Sequence, residues 1–96
     1  MFAVLVYDIV MDDEGAKRYQ QIHKLCSAHG YHVNYSVFEF DMPYANLMSL
    51  IHQLEKLIDV NQDSIRVYLL GKRTDKTIKI LGVKNLVEIE DSQYLI

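Results

Sequence analysis

Cysteine, proline and tryptophan are nearly absent from this chain, which has one Cys, one Pro and no Trp among 96 residues. Cys26 has no second cysteine to pair with, so we expect no disulfide framework, and a single thiol fits the reducing cytoplasm. The four histidines and Cys26 do not have the paired spacing of a zinc site. The composition therefore argues against a small disulfide-rich secreted protein and against a zinc-binding module.

Long apolar runs are also missing. No run approaches the roughly 20 residues that a membrane-spanning helix needs. The apolar N-terminal stretch has no basic region before it, and Asp8 interrupts it, so we do not expect it to be a secretory signal. The chain is 50% hydrophobic and 24% charged, which is typical of a globular protein, and its length suits a single domain.

Charge is unevenly distributed, although the net charge is only −3. Residues 1–63 carry four Lys or Arg against nine acidic residues, whereas residues 64–86 carry six against Asp75 alone. The last ten residues contain three acidic residues and no Lys or Arg. A basic surface on an acidic protein would attract a polyanion. The alternative is a solvated hairpin with lysines on its outer face.

Apolar periodicity predicts two helices that alternate with strands. Consecutive bulky residues predict a central strand over residues 2–9, covered on both faces. Acidic residues before an i, i+3, i+4 apolar pattern predict a helix that begins near Asp12 and stops at Gly30. The same pattern after Pro43 predicts a second helix that reaches Ile58. Other extended segments are predicted at residues 32–40, 65–70, 77–81 and 86–89.

This order predicts an α+β protein with a ferredoxin-like βαββαβ sandwich, in which both helices cover one face of an antiparallel sheet and an extra C-terminal edge strand follows. The fold needs a hairpin between the two helices. The segment "YHVNYSVFEFDM" contains no Gly or Pro on which to turn. Two solutions stay open, a sharp bend at residues 34–36 or a bulge in one long strand.

Three segments carry a resemblance to a known family. They are "VLVYDI" at the end of the first strand, "VNYSVFEF" after the first helix, and "LIDVNQDSIRVYLLG" from the second helix into the next strand. In this order and spacing, from residue 2 to about residue 82, the chain resembles the Cas-two family of CRISPR-associated proteins. Members of that family typically carry Arg and Gln where this chain has His32 and Asn34.

The resemblance implies a ferredoxin-like homodimer in the cytoplasm, with no membrane contact. Residues 1–82 would form the domain, and residues 83–96 a C-terminal strand and acidic tail added to the partner subunit's sheet. It further implies a role in spacer acquisition, in which the dimer lies between two dimers of the Cas-one integrase and holds double-stranded DNA by its backbone. Family members are also described as metal-dependent endonucleases that cut single-stranded RNA or double-stranded DNA.

The aspartate that the resemblance identifies as metal ligand and catalytic residue matches Asp8, with Mg²⁺ or Mn²⁺ as the cofactor. Mg²⁺ typically takes one or two carboxylates and completes its shell with water and substrate phosphate. One Asp8 per chain is a poor site by that measure, whereas a twofold dimer with the strand ends near its axis would supply two. The alternative is that Asp8 only caps the following turn.

Other residues are candidates for phosphate contacts. The Ser36 hydroxyl could bind a phosphate, although a hydrogen-bonded turn hydroxyl is the alternative. The basic candidates for nucleic-acid binding are Lys17, Arg18, Arg66, Lys72, Arg73 and Lys76. Such contacts neutralise phosphates without reading the base sequence, so they predict an affinity that falls steeply with salt.

Three functions are consistent with these features. The first is a dimeric DNA-binding scaffold of the spacer-integration complex. The second is a metal-dependent endoribonuclease or deoxyribonuclease that acts alone. The third is a small-molecule-binding regulatory module, since this fold hosts many functions, but such a module predicts a Gly-rich ligand loop that the sequence does not contain.

Overall fold

The structure, a computed structural model, describes residues 1–82. The predicted C-terminal strand and acidic tail, residues 83–96, lie outside the described residues. The elements are, in chain order, β1 (Phe2–Asp8), α1 (Asp13–His29), β2 (Tyr31–Asn34), β3 (Val37–Asp41), α2 (Tyr44–Leu57) and β4 (Ser64–Gly71). Neither α1 nor α2 is long and apolar enough to cross a membrane.

The four strands form one antiparallel sheet in the order β2-β3-β1-β4. β1 is central, and its Val6 lies opposite Val37 of β3 and Arg66 of β4. A helix follows β1 and another follows β3, so each helical connection crosses to a strand that is not its neighbour. This is the ferredoxin-like arrangement, and the predicted fold class is confirmed.

The core lies between the sheet and the two helices. Along β1, Ala3, Leu5 and Tyr7 are buried on the helix side, while Val4 and Val6 on the other side are partly exposed. The helical residues that cover the sheet are Ile22, Cys26, Leu47, Leu50 and Leu54. The sequence predicted a first strand covered on both faces, but in residues 1–82 a helical layer covers only one. We call the other side of the sheet the open face.

The ends of α1 match the prediction. Asp12 is the N-cap, and its carboxylate accepts a hydrogen bond from the Gly15 N–H at 2.7 Å. Gly30 ends the helix, but its φ of −138° is ordinary extended backbone. A Cβ there would lie 2.5 Å from the Phe40 ring. Glycine is therefore required by close packing rather than by a left-handed turn.

The hairpin between β2 and β3 is formed by a sharp bend at residues 34–36, and not by a bulge in one long strand. The chain bends at Tyr35, which has a φ of +39°, and the His32 Nε2–H donates a hydrogen bond to the Tyr35 carbonyl oxygen at 2.6 Å. The register also shifts between His32 and Asn34, so Val33 is an extra residue on its strand. The side-chain hydrogen bond of His32 replaces the glycine that such a turn usually needs.

The predicted strand over residues 77–81 is wrong for the described chain. After Gly71, residues 75–77 form a turn and residues 78–81 have no regular structure. The Thr74 N–H donates to Thr77 Oγ1 at 2.8 Å and holds this turn. An apolar segment becomes a strand only beside a hydrogen-bonding partner, and no described strand pairs with this one.

Candidate metal and nucleic-acid site

Asp8 is the last residue of β1, and its side chain is exposed on the open face. It lies opposite Ser64, the first residue of β4. No hydrogen bond or ion pair joins its carboxylate to another residue of the described range, and Asp12 rather than Asp8 caps α1. The turn-capping alternative for Asp8 is therefore wrong, and the carboxylate is available to a ligand.

Arg66 shares the open face with Asp8. It lies opposite Val6, two positions along β4 from Ser64, so it is a diagonal neighbour of Asp8 at roughly 7–8 Å between backbones. Its Nη1 donates a hydrogen bond to the Tyr68 hydroxyl at 3.3 Å, and this bond raises the pKa of Arg66. A fixed cation beside a lone carboxylate suits a phosphate that approaches a carboxylate-bound metal ion.

A buried carboxylate, Asp63, joins three chain segments at the same end of the sheet. Its side chain is fully buried, and the Arg18 Nε and Nη2 groups donate to its two oxygens at 2.7 and 3.2 Å. The Val10 N–H donates to it from the loop after β1 at 3.1 Å, and the Asp59 N–H from the turn after α2 at 2.9 Å. Asp63 therefore ties that loop to α1 and to the start of β4.

These donors determine the ionisation of Asp63. The hydrogen bonds from Arg18, assisted by the two backbone N–H groups, outweigh burial and lower the pKa of Asp63 to about 2. Asp63 is therefore a carboxylate at all physiological pH values. In the same pair, the bond to Asp63 raises the pKa of Arg18.

Ser36 lies on the side of the sheet opposite to Asp8. The Tyr7 N–H donates to the Ser36 carbonyl at 3.0 Å, so Ser36 is aligned with a residue whose side chain faces the helices. The Tyr7 hydroxyl shares a 3.0 Å hydrogen bond with His23 Nδ1. Burial raises the pKa of Tyr7, and a hydrogen bond with Ser36 opposes part of that rise. The structure thus does not bring Ser36 and Asp8 together.

The basic segment after β4 lies at the other end of the sheet. Gly71 is opposite Phe2, and six residue steps along β1 separate that end from Asp8 by about 20 Å. Lys72 and Lys76 are exposed there. The Arg73 guanidinium lies over the Phe2 ring, 5.9 Å from its centroid. One phosphate cannot contact both ends of the sheet, so the predicted basic residues form two separate groups.

Lys17 and Arg18 lie in the helical layer, not on the open face. Lys17 is well exposed and pairs with Glu14 at 3.5 Å, a surface contact that contributes little to stability. The Arg18 side chain is only 15% exposed, and its donors are directed at Asp63. A phosphate contact of Lys17 stays a prediction, whereas Arg18 already has a structural partner.

The described residues of one chain do not complete a metal site. No group of three or more His, Cys, Asp and Glu side chains capable of holding a metal ion occurs within residues 1–82. Asp8 supplies one exposed carboxylate, which is a suitable but insufficient donor for Mg²⁺. Within residues 1–82, one Asp8 carboxylate fits Mg²⁺ only if a further donor joins it, for example the Asp8 of a second copy.

Asp63 is the residue that sequence reasoning missed. The segment that contains it, "DVNQDS", predicts only a turn-rich exit from the second helix and indicates no role for this carboxylate. The available signal was its position directly before β4, whose first residue lies opposite Asp8. Its partner Arg18 is 45 residues away in sequence, and periodicity within one element does not report such a pair.

Comparison with known proteins agrees with this geometry. The family model for CRISPR associated protein Cas2 matches residues 1–78. A CRISPR-associated endonuclease Cas2 of Halalkalibacterium halodurans is 34% identical, over 95% of this chain and 96% of the relative. A CRISPR-associated endoribonuclease Cas2 of Chloroflexus aurantiacus is 35% identical over the whole chain and 98% of the relative.

Solved structures give the same result. The crystal structure of Streptococcus pyogenes Cas2 superposes with a TM-score of 0.74 at 37% sequence identity, covering 85% of this chain and all of that one. The resemblance found in the sequence is thereby confirmed. The chain belongs to the CRISPR-associated Cas2 family.

Proposed function

We propose that this protein acts in CRISPR spacer acquisition, in the cytoplasm, as a homodimeric scaffold that holds double-stranded DNA by its backbone beside the Cas-one integrase. We further propose that its two Asp8 carboxylates bind Mg²⁺ or Mn²⁺ together. The observation that carries the proposal is the exposed Asp8 carboxylate at the end of the central strand, without a partner among the described residues, on the open face of the sheet.

The open face supports the dimer. Antiparallel sheets with one solvated face usually place polar residues there. Here Val4, Val6 and Tyr68 form an apolar patch on the outward side of β1 and β4, beside the charged Arg66, and Tyr68 is 46% exposed. Apolar residues grouped on an exposed face indicate a protein interface. In a twofold dimer through this face, the ends of the two β1 strands could meet, and each would bring one Asp8.

The side chains around Asp8 supply the chemistry of a phosphodiester site. A metal ion held by the two carboxylates would lower the pKa of a bound water and polarise a phosphoryl oxygen. Arg66, on the same face, would hold a non-bridging phosphate oxygen in place. Asp63 lies behind the strand end, where it accepts hydrogen bonds from the Val10 N–H and from Arg18.

The distance between the two basic groups is compatible with one phosphate backbone that runs along β4. One strand of B-DNA advances about 3.4 Å per nucleotide. A backbone along β4 would therefore pass from Arg66 to Lys72 and Lys76 within about six nucleotides. These contacts read no base sequence, as a scaffold that accepts many spacers requires.

A stand-alone nuclease is the second candidate. The names of relatives favour it, since that of H. halodurans is called an endonuclease and that of C. aurantiacus an endoribonuclease. Its substrate would be single-stranded RNA or double-stranded DNA. The two candidates share Asp8 and differ in whether metal-dependent cleavage is necessary in the cell.

Asp8→Asn separates these candidates, with Asp41→Asn as the matched control. Asp41 is also an exposed strand-terminal aspartate, but it ends β3 opposite Phe2, at the far end of the sheet. Purified variants are assayed for Mg²⁺-dependent cleavage of RNA and duplex DNA, and for spacer acquisition in cells together with the integrase. Sedimentation and integrase binding show that each variant still assembles.

The scaffold predicts that Asp8→Asn abolishes cleavage and leaves spacer acquisition intact, with Asp41→Asn normal in both assays. Loss of acquisition by an Asp8→Asn protein that still dimerises and still binds the integrase would favour the nuclease. If Asp8→Asn cleaves as well as the wild type, the proposed metal role of Asp8 is wrong.

A further inference from the structure

We propose that Asp63 is a positioning residue for Asp8. It joins the loop that follows β1 to the start of β4 in one rigid unit, so that the Asp8 carboxylate has a single orientation. This inference rests on the proposed metal role of Asp8. Asp63 itself is buried in the protein interior, so its proposed role is to support Asp8 and not to bind the metal or the substrate.

Asp63 is linked to two neighbours of Asp8, one later in the chain and one on the adjacent strand. The Val10 N–H, two residues after Asp8, donates to one carboxylate oxygen at 3.1 Å. The residue after Asp63 is Ser64, which lies directly opposite Asp8 in the sheet. One buried side chain therefore fixes both the continuation of β1 and the cross-strand neighbour of Asp8.

Arg18 holds Asp63 in this position. Its Nε and Nη2 groups reach the two carboxylate oxygens at 2.7 and 3.2 Å, in a fork that lysine cannot reproduce. The Asp59 N–H adds a third donor at 2.9 Å. With four donors to two oxygens and no exposed surface, the carboxylate has one favourable orientation.

The loop between Asp8 and α1 is also held in place by contacts that do not involve Asp63. A Cβ on Gly15 would overlap the carbonyl group of Val10, so only glycine lets the loop lie against the first turn of α1. The Asp12 cap on the Gly15 N–H closes the same turn. Ile9 is 7% exposed and anchors the loop in the core.

Rigid support matters here because Asp8 has no partner within the described chain to orient it. Groups that orient a metal ligand from outside the coordination shell typically change metal affinity by 10–100-fold when they are removed. At a site shared by two chains, each chain supplies one Asp8 carboxylate. A change that displaces the end of β1 therefore displaces both metal ligands. The buried Asp63 contacts supply that fixation without approaching the metal.

The test uses Asp63→Asn and Arg18→Lys in the full-length chain. Asp63→Asn removes the charge and places an amide N–H₂ where N–H donors converge, and Arg18→Lys removes the fork but keeps a cation. Leu54→Ala, in the core of α2 and 2% exposed, is the control for destabilisation unrelated to Asp63. Mn²⁺ affinity is measured by the paramagnetic resonance signal of free Mn²⁺, and exchange of the Val10 amide by NMR without metal.

We expect Mn²⁺ affinity to fall at least tenfold in Asp63→Asn, by less in Arg18→Lys, and by less than twofold in Leu54→Ala. Protection of the Val10 amide against exchange should fall about tenfold in Asp63→Asn, because the uncharged amide oxygen accepts more weakly than the carboxylate and the new N–H₂ group faces the other donors to Asp63. Arg18→Lys, a milder change, provides the same comparison if Asp63→Asn does not fold.

Unchanged Mn²⁺ affinity in a folded Asp63 or Arg18 variant would overturn the positioning role, as would an equal loss in Leu54→Ala. Asp8→Asn is measured first. If the wild type and Asp8→Asn bind Mn²⁺ equally, or neither binds it, the metal role of Asp8 fails and the positioning role fails with it. Failure of the positioning role alone requires binding that depends on Asp8 and not on Asp63, so the two failures are distinguishable.

Discussion

The stability of this protein should depend on acid through one buried carboxylate, Asp63. In the folded state the Arg18 fork and two backbone N–H groups lower its pKa from 3.8 to about 2. The folded state therefore binds the proton more weakly than the unfolded state, and acid favours unfolding. The contribution of Asp63 is complete above about pH 5 and is lost as the pH falls through 4 towards 2.

The size of this contribution follows from the same values. One pKa unit corresponds to about 1.4 kcal/mol, so the fall from 3.8 to about 2 is worth roughly 2 kcal/mol at neutral pH. Asp63→Asn should cost at least that much at pH 7, since it also leaves a buried guanidinium without its charge partner. Near pH 2 the difference between Asp63→Asn and the wild type should become much smaller.

Urea unfolding followed by circular dichroism, at intervals from pH 7 to pH 2, measures this difference. Subtracting the Asp63→Asn curve from the wild-type curve removes the titration of all other groups. Asp75→Asn, in the exposed turn after β4, is the matched control for the loss of one aspartate at the surface. If the wild-type and Asp63→Asn curves run parallel between pH 5 and pH 2.5, the low pKa of Asp63 is wrong.

Three further predictions concern the helix side, the basic segment and the C-terminal region. Tyr7→Phe removes the hydrogen bond to His23 and should lower the free energy of unfolding in urea by about 1 kcal/mol. The pKa of His23 should stay lowered in an NMR titration of this variant, because burial is the larger cause. A return of that pKa to its ordinary value would contradict this. Replacing Lys72 and Lys76 with alanine should weaken duplex binding. The slope of the logarithm of the binding constant against the logarithm of the salt concentration should fall in magnitude by about 0.9 for each phosphate that the protein no longer neutralises. An unchanged slope would show that these residues do not contact the DNA. Truncation after Gly82 should weaken the dimer in sedimentation, and a truncated chain that remains a tight dimer would refute the predicted exchange of the C-terminal strand.

The sequence predicted the elements that depend on local pattern. The ends of α1 could be located because Asp12 and Gly30 act within one turn of the helix. The fold class followed from the order of the elements, since few topologies connect two helices and these strands. The exposed face that carries Asp8 was not predicted, because the consecutive bulky residues of β1 predicted a strand covered on both faces.

The parts that could not be predicted depend on contacts between distant residues. The Asp63–Arg18 pair spans 45 residues, and no periodicity marks it. The hairpin at Tyr35 contains no glycine or proline, and a hydrogen bond from His32 to the Tyr35 carbonyl oxygen closes it instead. Rules for turns that rest on composition do not predict a turn closed by a histidine side chain. The segment 77–81 has the composition of a strand, but pairing decides whether a strand forms.

The apolar open face and the lone carboxylate have a common explanation. The alternation that buries Tyr7 against the helices places Val4, Val6 and Asp8 on the other side of β1. Residues 1–82 leave Val4 and Val6 partly exposed on this side and supply no second donor beside Asp8 for Mg²⁺. A second copy on the same face would correct both at once, because an isologous contact brings identical residues together across the axis. Under this proposal, dimer formation and metal binding depend on the same face of β1. A substitution on this face that separates the chains should therefore abolish metal binding even though Asp8 is unchanged.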